Sequence, residues 1–180
     1  MPAWKGTVAE GFTPEAFAQY VAALQFVSWL PEFCTLHHTA DPNLAQRPDG
    51  FTEQHIHNLA SYYHDELGWS AGPHLFVDDH LIWVMTPLTV QGVHAVSFNL
   101  IAWGIEMLGD YDNEDFNSGR GALVRDNAVA AISILNARLG IDPSTLRFHR
   151  DDPRTQKTCP GAGVDKEAMI AAVQKFMGLA

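Results

Sequence analysis

The stretch "HRDDPRTQKTCPG", residues 149–161, places an imidazole, an ammonium and a thiol close together where no helical or strand periodicity is visible. His149 and Cys159 offer borderline and soft donor atoms that suit a divalent zinc ion, and His37 of "FCTLHH" can supply a third. Three protein ligands with a fourth position open to water is the usual form of a catalytic zinc site. Ligands so far apart in sequence match no local metal-binding pattern, and a free thiol in a loop beside an ordinary histidine is the plainer alternative. The second cysteine differs. Cys34 sits in the apolar run "PEFCTL" and reads as a buried structural thiol, whereas nothing in the neighbours of Cys159 suggests packing.

The elements that must position these groups follow from pattern. "FCTLHH" reads as a strand with Phe33, Thr35 and His37 on one face and Cys34, Leu36 and His38 on the other, so only one histidine of the doublet can face a given site. "AWGIEM" alternates in the same way and sets Glu106 on a face with Ala102 and Gly104. "HLFVDDHLIWV" reads as a hairpin turning at Asp78 to His80, and "LRFH" as a brief extended piece. Helices are expected from Pro14 to about Trp29, capped by Thr13 with Phe12 stapled onto Phe17 and stopped by Pro31. A second, "TEQHIHNLASYYHDELG", buries Ile56, Leu59, Tyr63 and Leu67 and stops at Gly68. A third runs from about Gly121 to Leu139, packing Leu123, Val124, Ile132, Leu135 and Leu139, and "VDKEAMIAAVQKFMGL" forms the last. Strands interleaved with helices imply an α/β fold, a single domain with a central mixed β-sheet flanked by α-helices.

Composition narrows the function classes. A chain of 180 residues that is 47% hydrophobic and 18% charged suits one globular domain. No stretch approaches the ~18 uninterrupted apolar residues of a membrane span, so no membrane insertion is expected. The formal net charge of -10 opposes attraction to nucleic acid, and none is expected as a partner. The N-terminus "MPAWKGTVAEGFTPEAF" has no basic start followed by an apolar run, so the expectation is synthesis in the cytoplasm without a signal peptide.

Of nine histidines, His55, His57 and His64 read as a solvated or half-buried helix face, and His74 and His80 as structural or exposed residues bordering the hairpin. His94, in the loop "QGVHA", is less easily dismissed. Taken in order, "TLHHTA", "GPHLFVDD", "GVHAVSFN", "WGIEMLGDYD" and "FHRDDPRTQKTCPG" resemble the zinc-dependent N-acetylmuramoyl-L-alanine amidases. That family takes in phage endolysins, bacterial wall-recycling enzymes and animal peptidoglycan recognition proteins. The resemblance covers about residues 33 to 178 and leaves 1–32 as an N-terminal helical extension.

The resemblance implies one zinc ion per chain, held by His37, His149 and Cys159, and acting on peptidoglycan or a muropeptide. With one thiolate the site would carry a charge of about +1, enough to acidify water. It makes Glu106 the residue that serves the attacking water and Lys157 the cation that steadies the developing oxyanion. Apart from it, Glu106 would be a strand-edge carboxylate and Lys157 a loop charge. It further implies substrate contacts from His94 and Asn99. Many members read Gly-Tyr-His-Phe where this chain has "GPHLF", so Pro73 brings no hydroxyl. Either Glu106 and Lys157 carry the chemistry, which the complete set of residues favours, or His74 offers its imidazole nearby. Asp151 is expected to orient His149 or a neighbouring arginine, or to form a surface pair with Arg150 or Arg154. A peptidoglycan-binding module without catalysis is the alternative, disfavoured by the intact ligand set. Within the amidase reading a monomeric phage endolysin is favoured over a cytoplasmic recycling enzyme.

Overall fold

The computed structural model describes residues 2–179. Six strands form one mixed sheet: β1 (Glu10–Phe12), β2 (Phe33–His38), β3 (Leu75–Val77), β4 (Ile82–Val84), β5 (Ala102–Met107) and β6 (Arg147–Phe148), in the order β1-β4-β3-β5-β2-β6. β4 is antiparallel to both β1 and β3, while β3, β5, β2 and β6 run parallel. Four helices flank the sheet: α1 (Pro14–Ala23) between β1 and β2, α2 (Glu53–Ser61) between β2 and β3, α3 (Gly119–Leu139) between β5 and β6, and α4 (Lys166–Phe176) after β6. This is the expected α/β class, and β2, β5 and the hairpin lie where alternation puts them.

Alternation sorts the sheet into two chemical faces. Cys34, Leu36, Leu75, Val77, Ile82, Val84, Trp103, Ile105 and Met107 join one core with the α3 stripe Val124, Ala128, Ile132 and Leu135. Phe17 and Val21 of α1 and Met169 and Val173 of α4 complete that core. On the other face, Ile56 and Ala60 of α2 pack on Phe76 and Trp83, covering the β3 and β4 end. The β5 and β2 portion of that second face, with Glu106 and His37, is left for the site.

Several expected boundaries shift for reasons remote in sequence. α1 is capped by Thr13, and Phe12 meets Phe17 with ring centroids 6.3 Å apart, as expected. It ends at Ala23, though, not near Trp29. Arg138 of α3 donates to the carbonyls of Val21 and Leu24, closing the helix end, and Leu24 turns extended. Trp29 then anchors the following stretch by donating to the Leu100 carbonyl at 2.7 Å. After Ser61 the second helix widens into a π-turn over Tyr62–Glu66, closed by Gly68 at φ +67°. That extra residue shifts the apolar spacing, so Leu67 is exposed instead of buried. Leu123 also faces solvent, because α3 presents Val124 to the core. α3 ends at Gly140 in the left-handed conformation, as expected.

Candidate metal centre and active site

Strand register builds half of the site. β2 and β5 pair in parallel with His37 opposite Glu106, so both side chains rise from one face, with His37 Nδ1 3.7 Å from Glu106 Oε1. β6 then pairs with β2 through Leu36 and Phe148, which delivers the next residue, His149, beside His37 with their Nδ1 atoms 3.0 Å apart. Cys159 arrives from the following loop. Its Sγ accepts from the His38 N–H at 3.4 Å, and one ligand atom from each of His37, His149 and Cys159 lies within 4.8 Å of the others. Among the described residues this is the one group of three or more His, Cys, Asp or Glu side chains that could hold a metal ion.

The Cys159 loop is held by groups that sequence patterns do not single out. Among the described residues no carboxylate pairs with Arg150; its guanidinium donates to the carbonyls of Thr158, Gly161 and Val164, and its N–H donates to the Cys159 carbonyl at 2.9 Å. Asp112 accepts from the Thr158 hydroxyl and from the Ala162 N–H. Asp151 neither orients His149 nor pairs with Arg150 or Arg154. It accepts from the Phe148 N–H and pairs with Lys166 of α4 at 2.6 Å, tying the segment to the last helix.

Electrostatics fit a cation between these donors. Burial, reinforced by the neighbouring histidines and Lys157, holds His37 well below the usual histidine range, so its ring is neutral with a free lone pair. His149 is lowered chiefly by burial as well. Burial also pushes the Cys159 thiol up, with the Glu106 carboxylate adding to the effect. A bound cation must therefore displace the thiol proton. Glu106 is pushed up to about 8 by burial, against the pull of Lys157, which is exposed in the loop.

The remaining histidines near the site, and Asn99, are engaged by protein atoms, with His38 and His94 in the cleft lining. His38 turns its ring toward Tyr111, accepting from that N–H at 3.1 Å. His74 is fully buried and not available to a substrate: its Nδ1 accepts from the Gly104 N–H, its Nε2 meets the Val90 carbonyl, and its ring stacks on Trp29. His94 has both ring nitrogens engaged by protein atoms, His37 Nε2 at 3.1 Å and the Ala102 carbonyl at 3.1 Å, so it touches a ligand histidine and has no nitrogen left for substrate. Asn99 braces this loop, its side-chain oxygen accepting from the N–H groups of His94 and Ala95.

These groups open into a cleft of about 620 Å³, large enough for a sizeable ligand. Phe51, Leu59, Tyr63 and Trp69 contribute an apolar part of its lining, and Lys157 and Thr158 a polar part. Tyr63 and Trp69 stack with centroids 5.0 Å apart and planes 1° from parallel. Tyr63, in the π-turn, packs against the smaller core cluster, as its helical spacing suggests, and also lines the cleft. Its ring lies against Gly72, where a Cβ would come within 2.9 Å of it, next to Pro73 in the cleft lining.

The sequence matches the N-acetylmuramoyl-L-alanine amidase family over residues 12–162. The chain belongs to that amidase family. Its match takes in α1, which the motifs alone leave outside. Among solved structures the amidase is similar to the endolysin LysCS from Clostridium intestinale, with a TM-score of 0.64 and 26% identity over 81% of this chain and 85% of that one. The wild-type Drosophila recognition protein PGRP-LB shares the fold at a TM-score of 0.62 and 19% identity, covering 88% of each chain. Peptidoglycan-recognition protein SC2 of Drosophila melanogaster is 25% identical over 140 residues, 75% of this chain and 71% of the relative.

Proposed function

We propose that this amidase is a zinc hydrolase that cleaves the bond between the lactyl group of N-acetylmuramic acid and the L-alanine beginning the peptide stem. The observation that carries the reading is the convergence of His37, His149 and Cys159 on one point beside Glu106, at the floor of a cleft. Two imidazoles and one thiol match the donor preferences of zinc, and three ligands leave a position open. His37, His149 and Cys159 would hold the zinc ion, which would supply Lewis acidity to the scissile carbonyl and to water. Glu106, held near neutral pKa by burial, takes a proton from the attacking water at a carboxylate oxygen and returns it to the leaving amine nitrogen. Lys157 faces the charge that develops on the carbonyl oxygen. The aromatic wall shields the reacting bond from bulk water and offers flat surfaces to a sugar ring or peptide plane.

The physiological reading we favour is a monomeric endolysin acting on intact wall. No helix among the described residues is long and apolar enough to cross a membrane. Digestion of purified peptidoglycan with mass spectrometry of the products tests the activity. Peptides with a new L-alanine N-terminus and uncut glycan strands are the expected products. Retained binding without release would replace the hydrolase with a recognition module. Cleavage of soluble muropeptides but not of sacculi would replace the endolysin with a recycling enzyme.

A further inference from the structure

We propose that His94 is a positioning residue that locks His37 in the tautomer protonated at Nε2, so that its Nδ1 lone pair is presented to the metal. The inference rests on the metal centre proposed above. It begins at a group with no choice of role: the Ala102 carbonyl on β5 can only accept a hydrogen bond. His94 Nε2 lies 3.1 Å from it and must carry the proton. The His94 ring is buried and none of its hydrogen-bond partners is a carboxylate that would call for a second ring proton, so with Nε2 donating to Ala102 its Nδ1 bears a lone pair. That lone pair faces His37 Nε2 at 3.1 Å, which must then donate. His37 Nδ1 is left unprotonated, on the side where His149 Nδ1 and Cys159 converge.

The surroundings leave the His94 ring little freedom. It sits over Gly104, and a Cβ at that strand position would overlap the ring, which accounts for a glycine in the middle of β5. The His37 and His94 rings meet edge to face, with centroids 5.2 Å apart and planes 89° from parallel. Asn99 pins the His94 backbone, and Ser97 donates to Asp152 through both its N–H and its hydroxyl. The loop carrying His94 is therefore fastened to the segment carrying His149. Ligating histidines generally pass their second N–H to an acceptor that sets ring orientation, and loss of such a partner weakens metal binding by roughly 10- to 100-fold.

The test is made first on metal-free wild-type protein, by long-range ¹H–¹⁵N correlation of the histidine rings. His37 should show protonation at Nε2, and His94→Ala should convert it to a mixture of tautomers. Zinc affinity by chelator competition should fall about 10- to 100-fold in His94→Ala. His94→Asn, whose side-chain oxygen takes the place of Nδ1, should restore affinity to within about threefold of wild type. Wild-type His37 protonated at Nδ1 would overturn the proposal, as would a His94→Ala protein with unchanged tautomer and zinc affinity. Wild-type protein that binds no zinc would defeat the metal centre instead. The tautomer reading, made without metal, remains decisive in that case.

Discussion

The two halves of the site are built by opposite means. His37 and Glu106 stand on adjacent parallel strands, and their spacing is set by a ladder of backbone hydrogen bonds that any alternating sequence can form. His149, Lys157 and Cys159 sit on a 3-10 turn and a loop, where one guanidinium and one carboxylate hold the backbone in place of a ladder. The strand half is redundant, since many bonds specify each position. The loop half depends on a few named side chains, so single substitutions should reach it without disturbing the sheet.

Cys159→Ala should have the largest effect, removing one of the loop half's two proposed ligands. Zinc content by elemental analysis should fall to background and hydrolysis with it; an active, metal-free protein would end the zinc reading. Glu106→Gln acts on the strand half alone. Zinc should be retained while turnover drops ~10²-fold or more, as expected for loss of a general base. Near-normal turnover would move the proton transfer to another group. Arg150→Ala should sharpen the contrast between halves. The loss of three donated hydrogen bonds should cost about 2 kcal/mol of stability. Amide exchange should rise across 152–164 and stay slow in β2 and β5; uniform acceleration would mean that the halves unfold together.

Acid should weaken the sheet side in a defined window. Burial lowers His74 to about 3 in the folded chain, against roughly 6.5 when unfolded. Between those values the unfolded chain binds a proton that the folded chain refuses, so stability rises with pH across the window. The contribution is complete above about pH 6.5 and is lost on acidification by about 1.4 kcal/mol per pH unit until pH 3. Glu106, raised to about 8, and His94, lowered to about 4, titrate in the same range with slopes of their own. The His74 share is therefore the difference in slope between urea titrations of metal-free wild type and His74→Asn from pH 6.5 to 5; no difference would mean that His74 accepts a proton without unfolding.

The same contrast explains what is legible in the sequence. Phe33–His38 and Ala102–Met107 are readable because alternation is a local signal, and so are the caps at Thr13 and Gly140. The end of α1 is not, because Arg138 closes it from α3. Sequence sets Asp151 against its near neighbours, yet its partner is Lys166 on the last helix. A motif offers His74 to the substrate because position in a motif says nothing of burial, and its two bonds come from Gly104 and Val90. Arg150 carries no signal at all, since a guanidinium bound to three carbonyls leaves no complementary charge in the sequence. His37, Glu106, His149, Lys157 and Cys159 come together only through resemblance.

The widened turn at Tyr62–Glu66 makes the cleft wall sensitive to the length of one helix. In an α-helix each residue advances the side-chain direction by about 100°, so deleting one residue there would restore regular winding and swing the chain beyond it by that angle. The aromatic pair Tyr63 and Trp69 would lose its alignment while the proposed ligands and Glu106, on other elements, kept theirs. Diversification of what this cleft accepts can therefore proceed by gaining or losing a single codon in one helix, with the chemistry untouched.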